Sequence, residues 1–270
     1  SSSESAPSGG SSQARVDPGE PSKKSGLGKA SKAMTVEEFG RLKSHISENL
    51  KKSANPPSFT LFSKLGCKFE NRIRFTSVSI VFNDGGDEER AVLSGEKDVL
   101  DSWASGSVSI SGFEGGYPEL TKFRKLMASI SGKGELKPLS VTQVSSILQK
   151  RFDLISKEVQ GKFFLKDKPV AWSFVTVENG VEKEVFRTSE IIKVGGEEIV
   201  KVYERKGKDA AKNVIKVKFN SLDDIFDHLF FKWNPQFLMA IRKYVVMEPK
   251  GLLANPDELV INFLDSLTDD

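Results

Sequence analysis

Apolar residues recur every three or four positions through much of the first half of the chain, which is the spacing of one helix face. Thr35 and Glu38 form a capping-box pattern before the first such segment, and Ser140 and Gln143 form a second one. Pro118 stands where the first turn of a helix tolerates proline. The pattern predicts helices at about 35–52, 96–103, 118–132 and 141–161.

Two parts of the chain change to the period of two that is typical of β-strands. Segment 72–82 is rich in β-branched and aromatic residues and predicts one continuous strand, and a short strand is predicted at 108–110. Segment 169–219 alternates in the same way, and Asn179-Gly180 within it is a strong hairpin signal. This region predicts an antiparallel β-meander with strands at about 170–177, 181–187, 190–194, 198–205 and 213–219.

The end of the chain returns to helical spacing, with helices predicted after Ser221, Pro235 and Asn255. The predicted fold class is therefore α+β, with helices flanking a central antiparallel β-meander. We predict a single domain at 35–270, with a mainly helical part at 35–161, the meander at 169–219 and a helical part at 221–267.

The first 34 residues have a different composition. They contain ten serines, five glycines and three prolines, and too little apolar surface to offset the entropy of ordering the chain. Segment 1–34 is therefore predicted to be a disordered arm with a small excess of basic residues. Two interpretations stay open: a mobile arm that contacts polyanions or neighbouring subunits, or a tail that only increases solubility.

Composition limits the classes of function. The 270 residues include 40 basic and 37 acidic ones, which excludes the bulk basicity of histone-like proteins. The single cysteine, Cys67, excludes an intrachain disulfide framework and multi-cysteine metal sites. No apolar stretch approaches the roughly 20 residues that cross a bilayer. We therefore expect a cytoplasmic protein with no cofactor, no bound metal and no membrane span.

Few residues suggest catalysis. His45 and His228 both lie in predicted amphipathic helices, and the sequence contains no nucleophile elbow, P-loop or dinucleotide fingerprint. Asp223 and Asp227 share a helix face and could bind Mg²⁺ through bridged phosphates. Alternatively, Asp223 and Asp224 complement the positive amino end of that helix. We predict that the protein is not an enzyme and has no catalytic residues.

Charge is distributed unevenly along the chain. Segment 201–218 contains seven basic and two acidic residues, whereas segment 248–270 contains one basic and six acidic residues. On the last strand of the meander, Lys216 and Lys218 alternate with apolar residues, so both are predicted to point away from the core. Such a row of cations can follow a phosphate backbone without reading bases. The residues predicted to contact nucleic acid are Arg72, Arg74, Lys201, Arg205, Lys206, Lys208, Lys212, Lys216 and Lys218.

The same features allow other interpretations. A lysine-rich strand face can keep a sheet soluble, or it can bind anionic lipid or acidic proteins. The aromatic cluster Phe230, Phe231, Trp233 and Phe237 fits base stacking, a packed corner between helices, or a subunit interface. The oppositely charged segments are compatible with head-to-tail association of subunits.

The arm at 1–34, the α+β core, the lack of a catalytic set and the local basic surface together resemble the organisation of plant RNA virus coat and nucleocapsid proteins. The run from Phe226 to Trp233 is similar to aromatic-rich helices of filamentous coat proteins, whereas the meander at 170–219 differs from their mostly helical cores. The resemblance implies a self-associating structural protein that binds single-stranded RNA in host cytoplasm and virion. The alternative is a soluble adaptor, or a viral accessory or movement-type protein, that acts through protein–protein contacts.

Overall fold

The chain is described by a computed structural model over residues 32–112, 116–163, 170–188, 191–194, 197–200, 213–230, 244–247 and 255–269. These residues contain eight helices and ten strands, which confirms the α+β class. Buried apolar side chains from both halves of the chain form one cluster. Within it the ring of Phe263 contacts the rings of Phe152, Trp172 and Phe174.

The first half of the chain contains a four-stranded sheet, called the first sheet below, with strands β1 (Phe59–Phe62), β2 (Lys68–Asn71), β3 (Val78–Phe82) and β4 (Val108–Gly112). The strand order is β2-β1-β3-β4, and β1 and β3 are parallel while the other pairs are antiparallel. Phe59, Leu61 and Ile80 face the core, whereas Thr60 and Ser79 alternate with them on the outer face.

Six helices of the described chain precede the second sheet in sequence: α1 (Val36–Lys52), α2 (Asp87–Leu93), α3 (Val99–Ala104), α4 (Gly116–Ile130), α5 (Val141–Leu154) and α6 (Lys157–Gly161). The predicted caps are confirmed, because Thr35 Oγ1 accepts from the Glu38 amide and Ser140 Oγ from the Gln143 amide, both at 3.1 Å. The helix predicted at 141–161 is interrupted at Ile155, and Ser156 caps α6. Helix α2 was not predicted.

The strand predicted over 72–82 is wrong in its first half. Only Val78–Phe82 forms a strand, and residues 72–77 form a loop. The hydroxyl of Ser58 accepts from the amides of Ile73 and Arg74, both at 3.2 Å, so these amides bind a side chain instead of a neighbouring strand. The strands β1 and β2 were not predicted at all.

The second half contains the second sheet, formed by β5 (Val170–Glu178), β6 (Val181–Arg187), β9 (Asn213–Phe219) and β10 (Tyr244–Met247). The predicted strand positions are close to the observed ones within the described residues, although 201–205 of the strand predicted at 198–205 lie outside them. Asn179 and Gly180 turn the β5–β6 hairpin with φ of 52° and 77°. The predicted antiparallel meander is nevertheless wrong. The order is β10-β9-β5-β6, with β5 and β9 parallel, and β7 (Ile191–Val194) and β8 (Glu197–Val200) form a separate hairpin.

Two helices follow in this half, α7 (Leu222–Phe230) and α8 (Pro256–Ser266), and both begin at the predicted caps Ser221 and Asn255. The helix predicted to start at Pro235 falls mostly on 231–243, which lie outside the described residues. Its predicted end is wrong, because Tyr244–Met247 forms the edge strand β10.

The predicted arm ends earlier than residue 34. Met34 is buried, and the guanidinium of Arg90 donates to the carbonyls of Lys32 and Ala33. Residues 32–34 are therefore attached to the folded chain, while 1–31 lie outside the described residues. No helix in the described part of the chain has the length and apolar character needed to span a membrane.

Candidate nucleic-acid interface

Lys216 and Lys218 lie on the outer face of the second sheet. Along β9 the buried residues Ile215, Val217 and Phe219 alternate with these two half-exposed lysines. The prediction that both lysines point away from the core is therefore confirmed. The other five basic residues predicted in this segment, Lys201, Arg205, Lys206, Lys208 and Lys212, lie outside the described residues.

Both lysines share one carboxylate. Lys216 forms an ion pair with Glu182 of β6, and the Nζ of Lys218 lies 3.9 Å from the other oxygen of the same carboxylate. Strand β5 runs between β9 and β6, so the side chains of these pairs cross over it, and Val175 of β5 is buried on this face. The lysines are thus partly neutralised by Glu182, which leaves an excess of positive charge at this position.

A second carboxylate, that of Glu184, also neutralises positive charge on this face. Glu184 accepts hydrogen bonds from the hydroxyl of Ser173 and from the guanidinium of Arg187. Lys216, Lys218 and Arg187 therefore stand against two carboxylates, those of Glu182 and Glu184. The described part of the outer face carries a net charge of only one positive unit, because its acidic residues lie among the basic ones.

Arg72 and Arg74, predicted to alternate on one strand, lie in the 72–77 loop beside the first sheet and not on the second sheet. The guanidinium of Arg74 is held by Glu119 of α4, with Nε and Nη2 donating at 2.9 and 2.7 Å, and it also donates to the Pro56 carbonyl. Arg74 is an anchor of the loop, so its charge is compensated. The exposed Arg72 side chain has no hydrogen bond or ion pair among the described residues.

Glu119 is the centre of this anchor. It is buried, and it also accepts from the Ser58 amide at 2.8 Å and from Lys122 at 3.3 Å. Burial alone raises the pKa of the Glu119 carboxyl, but the hydrogen bonds from Arg74, Ser58 and Lys122 outweigh burial and lower it. The carboxylate therefore stays ionised and fixes the 72–77 loop to α4.

The anchored loop exposes two apolar side chains that sequence reasoning placed in a strand. Phe75 is 83% exposed and Ile73 is 49% exposed. One feature of the sequence argues against a continuous strand over 72–82. In a continuous strand, Arg72 and Arg74 would share a face with Val78, Ile80 and Phe82, which are buried. That conflict indicates that the strand begins after the arginines.

Phe230 and Asp223, from the predicted aromatic and acidic clusters, make contacts within the fold. Phe226 and Phe230 of α7 are buried and stack on Tyr117 with ring centroids 5.8 and 6.3 Å apart, while Phe231, Trp233 and Phe237 lie outside the described residues. Asp223 accepts a hydrogen bond from the Tyr117 hydroxyl, and burial followed by this bond raises the pKa of Tyr117. Among the described residues no group of three or more metal-ligating side chains occurs.

The acidic segment at the end of the chain is partly internal. Asp269 accepts from the indole of Trp103 at 2.9 Å, from the Ile110 amide of β4 at 2.8 Å and from Arg151 at 2.9 Å. Asp257 and Glu258 lie in the first turn of α8, where they complement the helix dipole. These carboxylates stabilise the fold locally, and Asp269 accepts the hydrogen bond of the Ile110 amide at the edge strand β4.

Comparison of the chain with protein-family models, with curated proteins and with solved structures finds no match.

Proposed function

We propose that the chain is a non-enzymatic, self-associating structural protein that binds single-stranded RNA through its phosphates, of the viral coat or nucleocapsid kind. The observation that carries the proposal is the basic segment 201–218, whose last two lysines lie side by side on a solvent-facing sheet surface. Two ammonium groups share one carboxylate there, so positive charge remains for a phosphate. Contacts of this kind position a nucleic-acid backbone without reading its sequence.

Self-association is supported by the edges of the second sheet. Strands β6 and β10 are the two edge strands, and each carries an exposed valine, Val181 at 59% and Val245 at 56%. Edge strands with exposed apolar side chains are sites at which another chain can pair or pack. In this proposal, pairing between copies brings several basic faces onto one RNA strand.

The RNA-binding part is tested with a fluorescently labelled oligouridylate of 20 nucleotides and the full chain. We expect the double variant Lys216→Glu/Lys218→Glu to bind more weakly than the wild type. The slope of log affinity against log salt should also become shallower by about 1.4, because each neutralised phosphate of a single strand contributes about 0.7. Fluorescence anisotropy at several salt concentrations measures both quantities.

A matched control distinguishes the loss of phosphate contacts at Lys216 and Lys218 from the change in net charge of the protein. Lys125 on α4 and Lys137 after it are both exposed, so Lys125→Glu/Lys137→Glu changes net charge by the same amount on a different surface. We expect this control to keep the slope of the wild type. Equal weakening by both double variants, or a wild type without affinity for the oligonucleotide, would contradict the proposal.

The second candidate function is an adaptor, or an accessory or movement-type protein, that acts through protein–protein contacts. The same exposed valines favour it, because an edge strand can pair with a different protein as readily as with another copy. Light scattering of the purified chain distinguishes the two. Concentration-dependent growth in mass that oligouridylate enhances supports the structural protein, and a constant monomer supports the adaptor.

A further inference from the structure

The outer face of the first sheet forms a shallow, open cleft of about 590 Å³. Its floor is made of small hydroxyl side chains in a row across neighbouring strands, since Thr60 pairs with Ser79 and Ser79 with Ser111. Phe62 lies two residues after Thr60 on β1 and also lines the cleft. The small side chains leave the backbone of the sheet accessible, and the hydroxyls can both donate and accept hydrogen bonds.

The charged residues around this cleft carry a net charge of one positive unit. Its charged lining residues are Lys68, Glu70 and Arg72. Glu70 accepts from Lys68 at 2.9 Å, and this hydrogen bond, against the effect of burial, lowers the pKa of the Glu70 carboxyl. Arg72 is left as a cation that is not tied to a carboxylate by a hydrogen bond among the described residues, in contrast to Arg74 of the same loop.

The loop that bounds the cleft holds an aromatic ring in solvent. Arg72 and Ser77, at the two ends of the loop, both line the cleft, and Phe75 lies between them in sequence. Glu119 and the Ser58 hydroxyl fix the backbone around Arg74. Phe75 directly follows Arg74, whose backbone and side chain are held in this way, and an exposed ring in a loop that also carries a cation is suited to base stacking.

We propose that this surface, defined by the cleft residues Phe62, Lys68, Arg72, Ser79 and Ser111 together with Phe75 of the adjoining loop, is a second RNA site, which binds the bases of a single strand. Phe75 stacks on a base, Arg72 contacts the adjoining phosphate, and the hydroxyls of the floor hydrogen-bond to base edges or to 2′-hydroxyl groups. The inference rests on the proposed function. It adds a base-contacting surface to the phosphate-contacting lysines of the second sheet.

The test compares two 12-nucleotide probes, an oligouridylate and an abasic ribose-phosphate strand of equal length and charge. We expect the wild-type chain to bind the oligouridylate about tenfold more tightly, which is the size of one stacking contact. Phe75→Ala should remove this preference and leave the affinity for the abasic strand unchanged. Lys216→Glu/Lys218→Glu should weaken binding of both probes by the same factor and keep the preference for bases.

Phe75 is so exposed that its truncation should not disturb folding, and Val36→Ala, at a residue 62% exposed on α1, is the matched control. Equal affinity of the wild type for both probes would overturn the second site and leave the phosphate-binding proposal standing. A Phe75→Ala variant that keeps the preference for bases but associates less in sedimentation also overturns the second site, since the ring then contacts another copy. No affinity of the wild type for either probe would remove both proposals.

Discussion

The two four-stranded sheets place their carboxylates differently. Around the first sheet three carboxylates act from its periphery: Glu119 holds the 72–77 loop, Asp269 binds the edge of β4, and Glu89 of α2 accepts from the Lys64 amide at the β1–β2 turn. Glu70 of β2 lies on the outer face of this sheet and is paired with Lys68. On the second sheet Glu182 and Glu184 lie on the outer face itself. Among the described residues each face keeps one net positive charge, but on the first face Arg72 forms no hydrogen bond or ion pair with a described carboxylate. On the second face each of the three cations lies within 4 Å of a glutamate.

The difference shows that the net charge of a segment does not determine the charge of a surface. The lysines of β9 come from the most basic stretch of the chain, yet they meet a glutamate from another strand. Arg72 comes from segment 64–74, which is also basic, with four basic residues and one acidic residue, yet no described carboxylate forms an ion pair with it.

The largest effect is expected from Glu119→Ala. Removing this buried carboxylate leaves the Ser58 amide without its acceptor and the Arg74 guanidinium with only the Pro56 carbonyl among the described acceptors, so we expect a loss of about 3 kcal/mol in the free energy of unfolding. Because the pKa of Glu119 is lowered in the folded protein, its contribution is complete above the ordinary carboxyl value of 4.5 and is lost as the pH falls below it. Urea denaturation at pH 7 and pH 3 measures both effects.

A variant as stable as the wild type at pH 7 would show that the loop does not depend on this anchor. Faster proteolysis within 72–77 in Glu119→Ala, compared with the wild type, would locate the damage in the loop.

A smaller effect is expected from Asp269→Ala, which removes the acceptor of Trp103, Ile110 and Arg151 at the edge of the first sheet. Arg151 keeps the carbonyls of Leu267 and Trp103 as acceptors, so we expect a loss of about 2 kcal/mol. The control is Asp153→Ala, an exposed carboxylate on α5, which should change stability by no more than about 0.5 kcal/mol. If the two variants lose the same stability in urea denaturation, the proposed role of Asp269 at the edge of β4 is wrong.

Local signals predicted local structure well. Helices begin at the predicted caps Thr35 and Ser140, and a hairpin turns at Asn179-Gly180. These predictions succeed because a helix cap or a tight turn depends on a few neighbouring residues. The parallel pairing of β5 with β9 could not be predicted, since it joins strands that no turn connects. For the same reason, the carboxylates that pair with the predicted basic residues could not be identified from the sequence. Glu182 meets Lys216 only through the strand order, and Asp269 meets Arg151 from 118 residues away.

Glu89, the third carboxylate at the periphery of the first sheet, is expected to make the free energy of unfolding depend on pH. Glu89 is fully buried, one of its oxygens has no hydrogen-bond partner among the described residues, and burial raises its pKa. A raised carboxyl pKa in the folded state makes stability fall as the pH rises from the ordinary value through the folded value. We therefore expect Glu89→Gln to gain stability relative to the wild type between pH 4 and pH 7. Thermal unfolding across this range measures it, and a constant difference would contradict the assignment.

The smallest effect concerns the second sheet. Glu182→Gln releases both lysines, so we expect affinity for oligouridylate to rise by up to about fivefold at low salt, with stability nearly unchanged. The matched control is Glu178→Gln, which breaks the exposed Lys183–Glu178 pair of the same hairpin and should leave affinity unaltered. Anisotropy titrations compare the two, and an affinity for Glu182→Gln no higher than that of the control would mean that the β9 lysines do not contact RNA.

The most direct test of RNA binding is the salt dependence of the unmodified chain. Titration of labelled oligouridylate between about 50 and 200 mM salt should give log affinity that falls linearly with log salt, with a slope near −3.5 if five cations replace counterions on a single strand. A slope close to zero, or no measurable binding at the lowest salt concentration, would contradict the account.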